Sequence, residues 1–264
     1  MIVTRKMALM TSAHPATASI ARPNQSDDPD HPNAAIATPQ AALWLGGVAS
    51  YATGIAPWHG SVDAALFGNA IPTSVVENLI RETKNGVGPF RRYHKLRKRI
   101  LNLADYYVFD AFVPLVDYDV KYSYDDVLDW IVEAVAPLGG EYQDRVRRAF
   151  SERWIDVYEN QGKRSGAYSA PVYGTHPYML MNYTDTLDDM FTLAHEMGHS
   201  MHTMLAHQTQ PFVYSSYTIF VAEVPSTLSE ALFLDLMLER ARGRDERAML
   251  LQHAIDSIAS TFYT

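Results

Sequence analysis

Two histidines four residues apart, His195 and His199, constrain the local fold of this chain most strongly. An α-helix advances about 3.6 residues per turn, so a helical stretch stacks these two side chains on one face, where both imidazoles can point at one ion. Glu196 directly follows the first histidine, and its carboxylate lies beside such an ion without replacing a ligand. The pattern predicts a helix with two metal ligands and a carboxylate that takes a proton from bound water.

The residues before the motif support a helix. Thr186 and Asp189 are spaced as an N-terminal cap. Apolar residues then repeat at helical spacing and predict a buried face, which consists of Leu187, Met190, Phe191 and Ala194. The alternative for the motif alone is a metal-free helix with two hydrogen-bonded histidines, since a His-Glu-x-x-His match arises by chance in about one such chain in a hundred.

A catalytic zinc site takes three protein ligands and a water, so the chain must supply a third ligand. The chain has no cysteine, which leaves His, Asp and Glu as ligand types. The position ten residues after His195 is Leu205, and this excludes the third-histidine arrangement of the metzincins. Glu223 opens the next apolar-periodic stretch. We therefore predict Glu223 as the third ligand, on the first turns of a second helix.

Three further side chains near these ligands each have alternative roles. Glu230 lies two turns after Glu223, and it either orients a ligand imidazole or is an ordinary surface carboxylate. His202 is predicted to line the pocket or to support a ligand rather than to bind the ion. His176 either lies beside the site or only packs against the metal helix.

The rest of the chain predicts a mainly α protein with a small antiparallel β element. A capping box at Ser74 and Glu77 starts one helix, which Gly86, Gly88 and Pro89 end, and further helices are predicted over 90–103, 123–136 and 141–158. The basic cluster within 91–99 is interpreted as a solvated helix face. Strands are predicted over 166–168 and 177–183, where they either pair with an extended peptide or only pack the metal helix.

The composition restricts the classes of partner that this chain is expected to bind. The chain has 264 residues and a net charge of −8, which argues against a nucleic-acid surface. Residues 1–58 lack apolar periodicity and are predicted to be a poorly ordered leader, followed by a helical region over 59–264. The apolar run 41–56 is too short to span a bilayer, and no secretion signal is recognised, so no membrane partner and a cytoplasmic location are expected.

The metal motif within 193–202 and the segment 217–226 together resemble the oligoendopeptidase F branch of the thimet oligopeptidase family of zinc peptidases. The resemblance extends over about 60–264 through further segments at 162–168, 175–178, 180–183 and 186–189. It implies a zincin-like, multi-helical fold around a deep channel that admits short unstructured peptides. It also implies one Zn²⁺ per chain, with His195, His199 and Glu223 as ligands and Glu196 as the general base.

Family members are longer, and beyond the metal helices they add a helical region whose His and Tyr side chains bind the substrate. The region 59–264 is therefore expected to be a catalytic region truncated at its C-terminus. The leading hypothesis is a zinc metalloendopeptidase that hydrolyses short oligopeptides. A zinc carboxypeptidase and a catalytically impaired zinc- or peptide-binding remnant are the alternatives.

Overall fold

The computed structural model describes residues 60–117 and 120–263, and helices dominate them. The α-helices are α1 (Ser61–Phe67), α2 (Thr73–Asn85), α3 (Val87–Ile100), α4 (Tyr124–Ala134), α5 (Gly140–Ser151), α6 (Leu187–Thr209), α7 (Ile219–Arg240) and α8 (Arg244–Tyr263). The strands are β1 (Ile155–Asp156), β2 (Tyr168–Ala170) and β3 (Tyr178–Leu180). The mainly α prediction is confirmed. The predicted leader lies outside the described residues, and within them no helix combines the length and apolarity that crossing a bilayer requires.

The chain divides into two compact units, and the metal motif lies in the unit Tyr107–Ile255. Helix α6 is the centre of that unit, because nearly every side chain from 190 to 204 is buried. The apolar members of this buried stretch are Met190, Phe191, Leu193, Ala194, Met197, Met201 and Met204. A helix that is buried on all sides is held by its neighbours rather than by solvent-facing charges. The turns of α6 that carry His195 and His199 are therefore fixed in place by packing.

The β element is a three-stranded mixed sheet with the order β1–β3–β2. Strands β2 and β3 are antiparallel as predicted, with Ser169 opposite Met179. Strand β1 pairs with β3 in parallel and was not predicted. The predicted helix over 141–158 is wrong beyond Ser151, because Arg153 adopts a left-handed φ of 63° and the next residues pair with β3.

The other unit contains α1, α2 and α3 with the C-terminal part of α8. Helix α2 begins at Thr73 after an N-cap Pro72, so the predicted capping box at Ser74 is wrong. Gly86 ends α2 as predicted. Pro89, by contrast, lies in the first turn of α3, where its missing N–H interrupts no helical hydrogen bond.

Arg97 corrects the interpretation of the basic cluster as a solvated face, because its side chain is fully buried. The guanidinium donates hydrogen bonds to the hydroxyls of Tyr93 at 3.1 Å and Tyr106 at 3.2 Å. It also lies 3.9 Å from a carboxylate oxygen of Asp256. A buried cation is tolerated when its donors are paired in this way. The spacing of basic residues along α3 contains no sign of these partners.

The predicted cap of α6 is confirmed and centres on one carboxylate oxygen, Oδ2 of Asp189. It accepts hydrogen bonds from the backbone and the hydroxyl of Thr184, both at 2.8 Å. It also accepts the backbone N–H of Thr186 at 3.1 Å and the Thr186 hydroxyl at 2.7 Å. In return the Thr186 side chain accepts the Asp189 N–H. The start of the metal helix is thereby tied to the loop before it.

Replacing Asp189 by Ala is expected to lower the free energy of unfolding by about 1–3 kcal/mol, because four donors lose an ionised acceptor. The matched control is Asp188→Ala in the same turn, since the Asp188 carboxylate is exposed and pairs with His253 at 3.4 Å. The control loss should stay below about 1 kcal/mol. Urea unfolding of both variants measures this difference, and equal losses would contradict it.

Candidate metal centre

His195, His199 and Glu223 meet at one point between α6 and α7. The Nε2 atoms of the two histidines are 3.1 Å apart. The Oε2 atom of Glu223 lies 3.2 Å from Nε2 of His195 and 3.3 Å from Nε2 of His199. Ligands held at about 2.0–2.1 Å around a tetrahedral zinc ion lie about 3.3 Å from one another. This ligand triangle, made of two imidazole nitrogens and one carboxylate oxygen, therefore has the size and chemistry of a zinc site.

Glu223 reaches the triangle because α7 passes very close to α6 at Gly198. A Cβ atom at position 198 would lie 2.6 Å from the carbonyl oxygen of Pro225 and 2.7 Å from Cα of Ser226. It would also lie 2.8 Å from Oγ of Ser229. Only a residue without a side chain allows this approach. No role was predicted for Gly198, although a residue without a side chain between two candidate ligand histidines is a sequence signal for a close helix crossing.

Glu230 contacts the first ligand from the side opposite to the triangle. The Nδ1–H group of His195 donates a hydrogen bond to Oε1 of Glu230. This bond fixes the imidazole tautomer and leaves the Nε2 lone pair directed into the triangle. Of the two roles considered for Glu230, its position is that of an orienting carboxylate, and its side chain is only 21% exposed.

The surroundings of Glu223 favour its ionised form. Burial raises the pKa of the Glu223 carboxyl, but His195 and His199, when protonated, outweigh burial and hold this pKa well below its usual range. The carboxylate is therefore present as the anion that a divalent cation requires.

Glu196 is completely buried on α6 beside the first ligand. One turn later, Ser200 is also completely buried, and its hydroxyl is 2.9 Å from the hydroxyl of Ser169 on β2. This hydrogen bond ties the strand to the metal helix. Within the described residues β3 has a neighbouring strand on each side, whereas β2 is paired along one edge. Of the two predicted strands, β2 is thus the one with an edge that no described strand pairs.

His202 lies outside the ligand triangle, and its ring stacks on Tyr217 with centroids 3.9 Å apart. Burial lowers the pKa of His202, and the nearby His199 lowers it further. Burial raises the pKa of Tyr217, the hydrogen bond with Thr203 at 2.7 Å opposes this effect, and the Glu223 charge adds to it. This contact joins α6 to the segment that precedes α7.

His176 packs against the sheet. Its ring lies parallel to that of Trp154 at a centroid distance of 4.6 Å. Its Nδ1–H group donates to the carbonyl oxygen of Pro177 at 2.9 Å. Of the two roles considered for His176, these contacts favour packing.

Comparison with known proteins shows the family of this chain. The sequence pattern of Peptidase family M3 matches residues 59–263. The chain is 42% identical over 200 residues to Group B oligopeptidase PepB of Streptococcus agalactiae. It is 40% identical over 202 residues to oligopeptidase PepF of Bacillus subtilis. Each alignment covers 76% of this chain, but only 33% and 30% of the two relatives.

Solved structures share the fold. A chain from Chlamydophila abortus that is assigned as a peptidase superposes with a TM-score of 0.72 at 38% identity, over 84% of this chain and 36% of that one. Oligoendopeptidase F of Enterococcus faecium has a TM-score of 0.52 at 24% identity, over 81% of this chain and 30% of that one, which shows a common fold. The chain spans about a third of the length of the curated relatives it matches. The His-Glu-x-x-His motif and the shared fold agree with the match over residues 59–263, and the chain belongs to peptidase family M3.

Proposed function

We propose that this chain carries the zinc centre of a metalloendopeptidase that hydrolyses short, unstructured peptides. The observation that supports this most is the ligand triangle, whose sides of 3.1, 3.2 and 3.3 Å suit one tetrahedral ion. Membership of a peptidase family and relatives named oligopeptidases agree with it. In this proposal residues 59–264 form the catalytic region.

Each residue of the site has a distinct task in the proposed reaction. A zinc ion held by His195, His199 and Glu223 would polarise the scissile carbonyl and acidify the attacking water. Glu196 accepts the proton of that water on a carboxylate oxygen and passes it to the leaving amine. Glu230 keeps His195 in the tautomer that presents Nε2 to the ion.

Strand β2 is the proposed docking edge for the substrate backbone. An extended peptide added to a strand edge is held by main-chain hydrogen bonds, which do not depend on its side chains. The hydrogen bond between Ser169 and Ser200 sets the distance from this edge to α6. Such docking suits a peptidase that accepts varied short peptides.

The cytoplasmic location expected from the sequence stays a prediction.

The purified chain is expected to bind one zinc ion and to lose it to a strong chelator. At a free zinc concentration of about 100 times Kd, zinc should stabilise the fold by about 2.7 kcal/mol. Metal analysis and thermal unfolding with and without chelator measure both effects. His195→Ala is the control, because it should remove the zinc-dependent stabilisation. A wild-type chain that binds no stoichiometric zinc would contradict the proposal.

An internally quenched peptide that is blocked at both ends distinguishes the three candidate functions. An endopeptidase cleaves this peptide, whereas a carboxypeptidase requires a free C-terminus. A chain that binds zinc and the peptide but cleaves neither blocked nor free peptides would be the non-catalytic alternative. Cleavage that continues after zinc removal and chelation would exclude the proposed mechanism.

A further inference from the structure

Ser226 is a fully buried hydroxyl on α7, one turn after the predicted ligand Glu223. Its Oγ lies 2.9 Å from Oε2 of Glu223 and 3.0 Å from the Glu223 carbonyl oxygen. A hydroxyl has one proton, so it donates one full hydrogen bond at a time. The choice between these two acceptors decides what Ser226 does.

The carboxylate is the stronger acceptor of the two. The Glu223 carbonyl already receives the hydroxyl of Thr227 at 2.5 Å. A hydrogen bond to an ionised carboxylate is roughly twice as strong as one between neutral groups. The Ser226 proton is therefore directed at Oε2.

Oε2 is also the oxygen that faces both histidine nitrogens, at 3.2 and 3.3 Å. The hydroxyl thus binds the same atom that completes the ligand triangle. A carboxylate oxygen has lone pairs for two partners, so a donor on one side leaves the other side open to an ion. The bond also stops the carboxylate from turning away, since the Glu223 side chain otherwise rotates about several bonds.

The position of Ser226 is itself tightly held. Its Cα is one of the atoms that a Cβ on Gly198 would strike, at 2.7 Å, so α6 supports it directly. Pro225 precedes it inside the helix, and the Pro225 carbonyl accepts the hydroxyl of Ser229 at 2.9 Å. A donor fixed by a helix crossing can hold a ligand in a way that a mobile surface hydroxyl cannot.

We propose that Ser226 is a positioning residue that holds the Glu223 carboxylate in the rotamer required for metal binding. This inference rests on the proposed zinc site. It predicts that Ser226 acts on metal affinity through Glu223, with no contact to the substrate.

Ser226→Ala is expected to weaken zinc binding by about 10- to 100-fold, the range typical of groups that hydrogen-bond a metal ligand. Ser229→Ala is the matched control, because it removes a buried hydroxyl from the same crossing that bonds to the Pro225 carbonyl. Its zinc affinity should equal that of the wild type. Competition with a zinc chelator of known affinity measures all three proteins.

Two further measurements separate positioning from a structural role. The unfolding free energy of the zinc-free proteins should fall by a similar small amount in both variants. The visible absorption of bound Co²⁺, which depends on ligand geometry, should change in Ser226→Ala and stay unchanged in Ser229→Ala. A merely structural Ser226 predicts a larger loss of stability in zinc-free Ser226→Ala than in zinc-free Ser229→Ala, with unaltered metal affinity and spectrum.

The outcomes distinguish the two proposals. If the wild type binds zinc but Ser226→Ala and Ser229→Ala bind it equally well, the positioning role of Ser226 is overturned and the zinc site stands. If the wild type binds neither zinc nor Co²⁺, the proposed function itself fails, and this inference fails with it.

Discussion

Replacing Glu196 by Gln is expected to lower peptide hydrolysis by about 10²- to 10⁴-fold while one zinc ion stays bound per chain. The amide has nearly the shape of the carboxylate but cannot accept the proton of the attacking water. Glu196 is fully buried, so bulk water is poorly placed to take over this role. The three atoms of the ligand triangle are untouched by the substitution, and metal content should therefore not change.

The measurement is the initial rate of cleavage of the end-blocked peptide, together with the zinc content of the same sample. Glu239→Gln provides the control, since Glu239 is an exposed glutamate on α7 and its replacement should leave the rate unaltered. An unchanged rate in Glu196→Gln would remove this residue from the reaction. Loss of zinc in this variant would instead make Glu196 part of the metal site.

Replacing Gly198 by Ala is expected to destabilise the fold by about 3 kcal/mol and to weaken zinc binding by roughly 100-fold or more. The new Cβ would lie 2.6 Å from the Pro225 carbonyl oxygen and 2.7 Å from Cα of Ser226. Both are backbone atoms and cannot rotate away, so α7 itself must shift. Glu223 lies two residues before Pro225 and shifts with it, which moves Oε2 out of the triangle.

Gly140→Ala is the matched control for this substitution. Gly140 is also a helical glycine of the same unit, at the start of α5, and a Cβ there meets no atom within 4 Å. Because Ala favours helix over Gly, this control should be neutral or more stable by up to about 1 kcal/mol. Urea unfolding and chelator competition measure both variants. A Gly198→Ala protein with wild-type stability and zinc affinity would show that the crossing is looser than its distances indicate.

Local patterns predicted those parts of the site that depend on a single helix. The spacing of His195 and His199 follows from the helical repeat, and the cap formed by Thr186 and Asp189 joins residues three apart. Both are properties of adjacent turns, so the sequence contains all the information they need. Glu223 was predicted by elimination, because a metal site needs a third ligand and the next helix begins with a carboxylate.

Patterns failed where residues distant in sequence meet. Strand β1 forms because β3 supplies its hydrogen bonds. The pattern of the β1 residues alone predicted the end of a helix. Arg97 is buried because Tyr93, Tyr106 and Asp256, which is distant in sequence, provide its partners. The spacing of basic residues along α3 is the same whether the helix face is wet or covered.

Short-range spacing and residue chemistry were enough to predict the helix that carries His195 and His199, the types of candidate ligand and the family. The folded chain was needed to reveal how closely α6 and α7 approach, which oxygen of Glu223 faces the histidines and which groups contact the candidate ligands from behind. Those features depend on contacts between separate helices, in which the distances matter to within a few tenths of an ångström. Such contacts are fixed by packing at Gly198 and Ser226, and no periodicity in the chain encodes them.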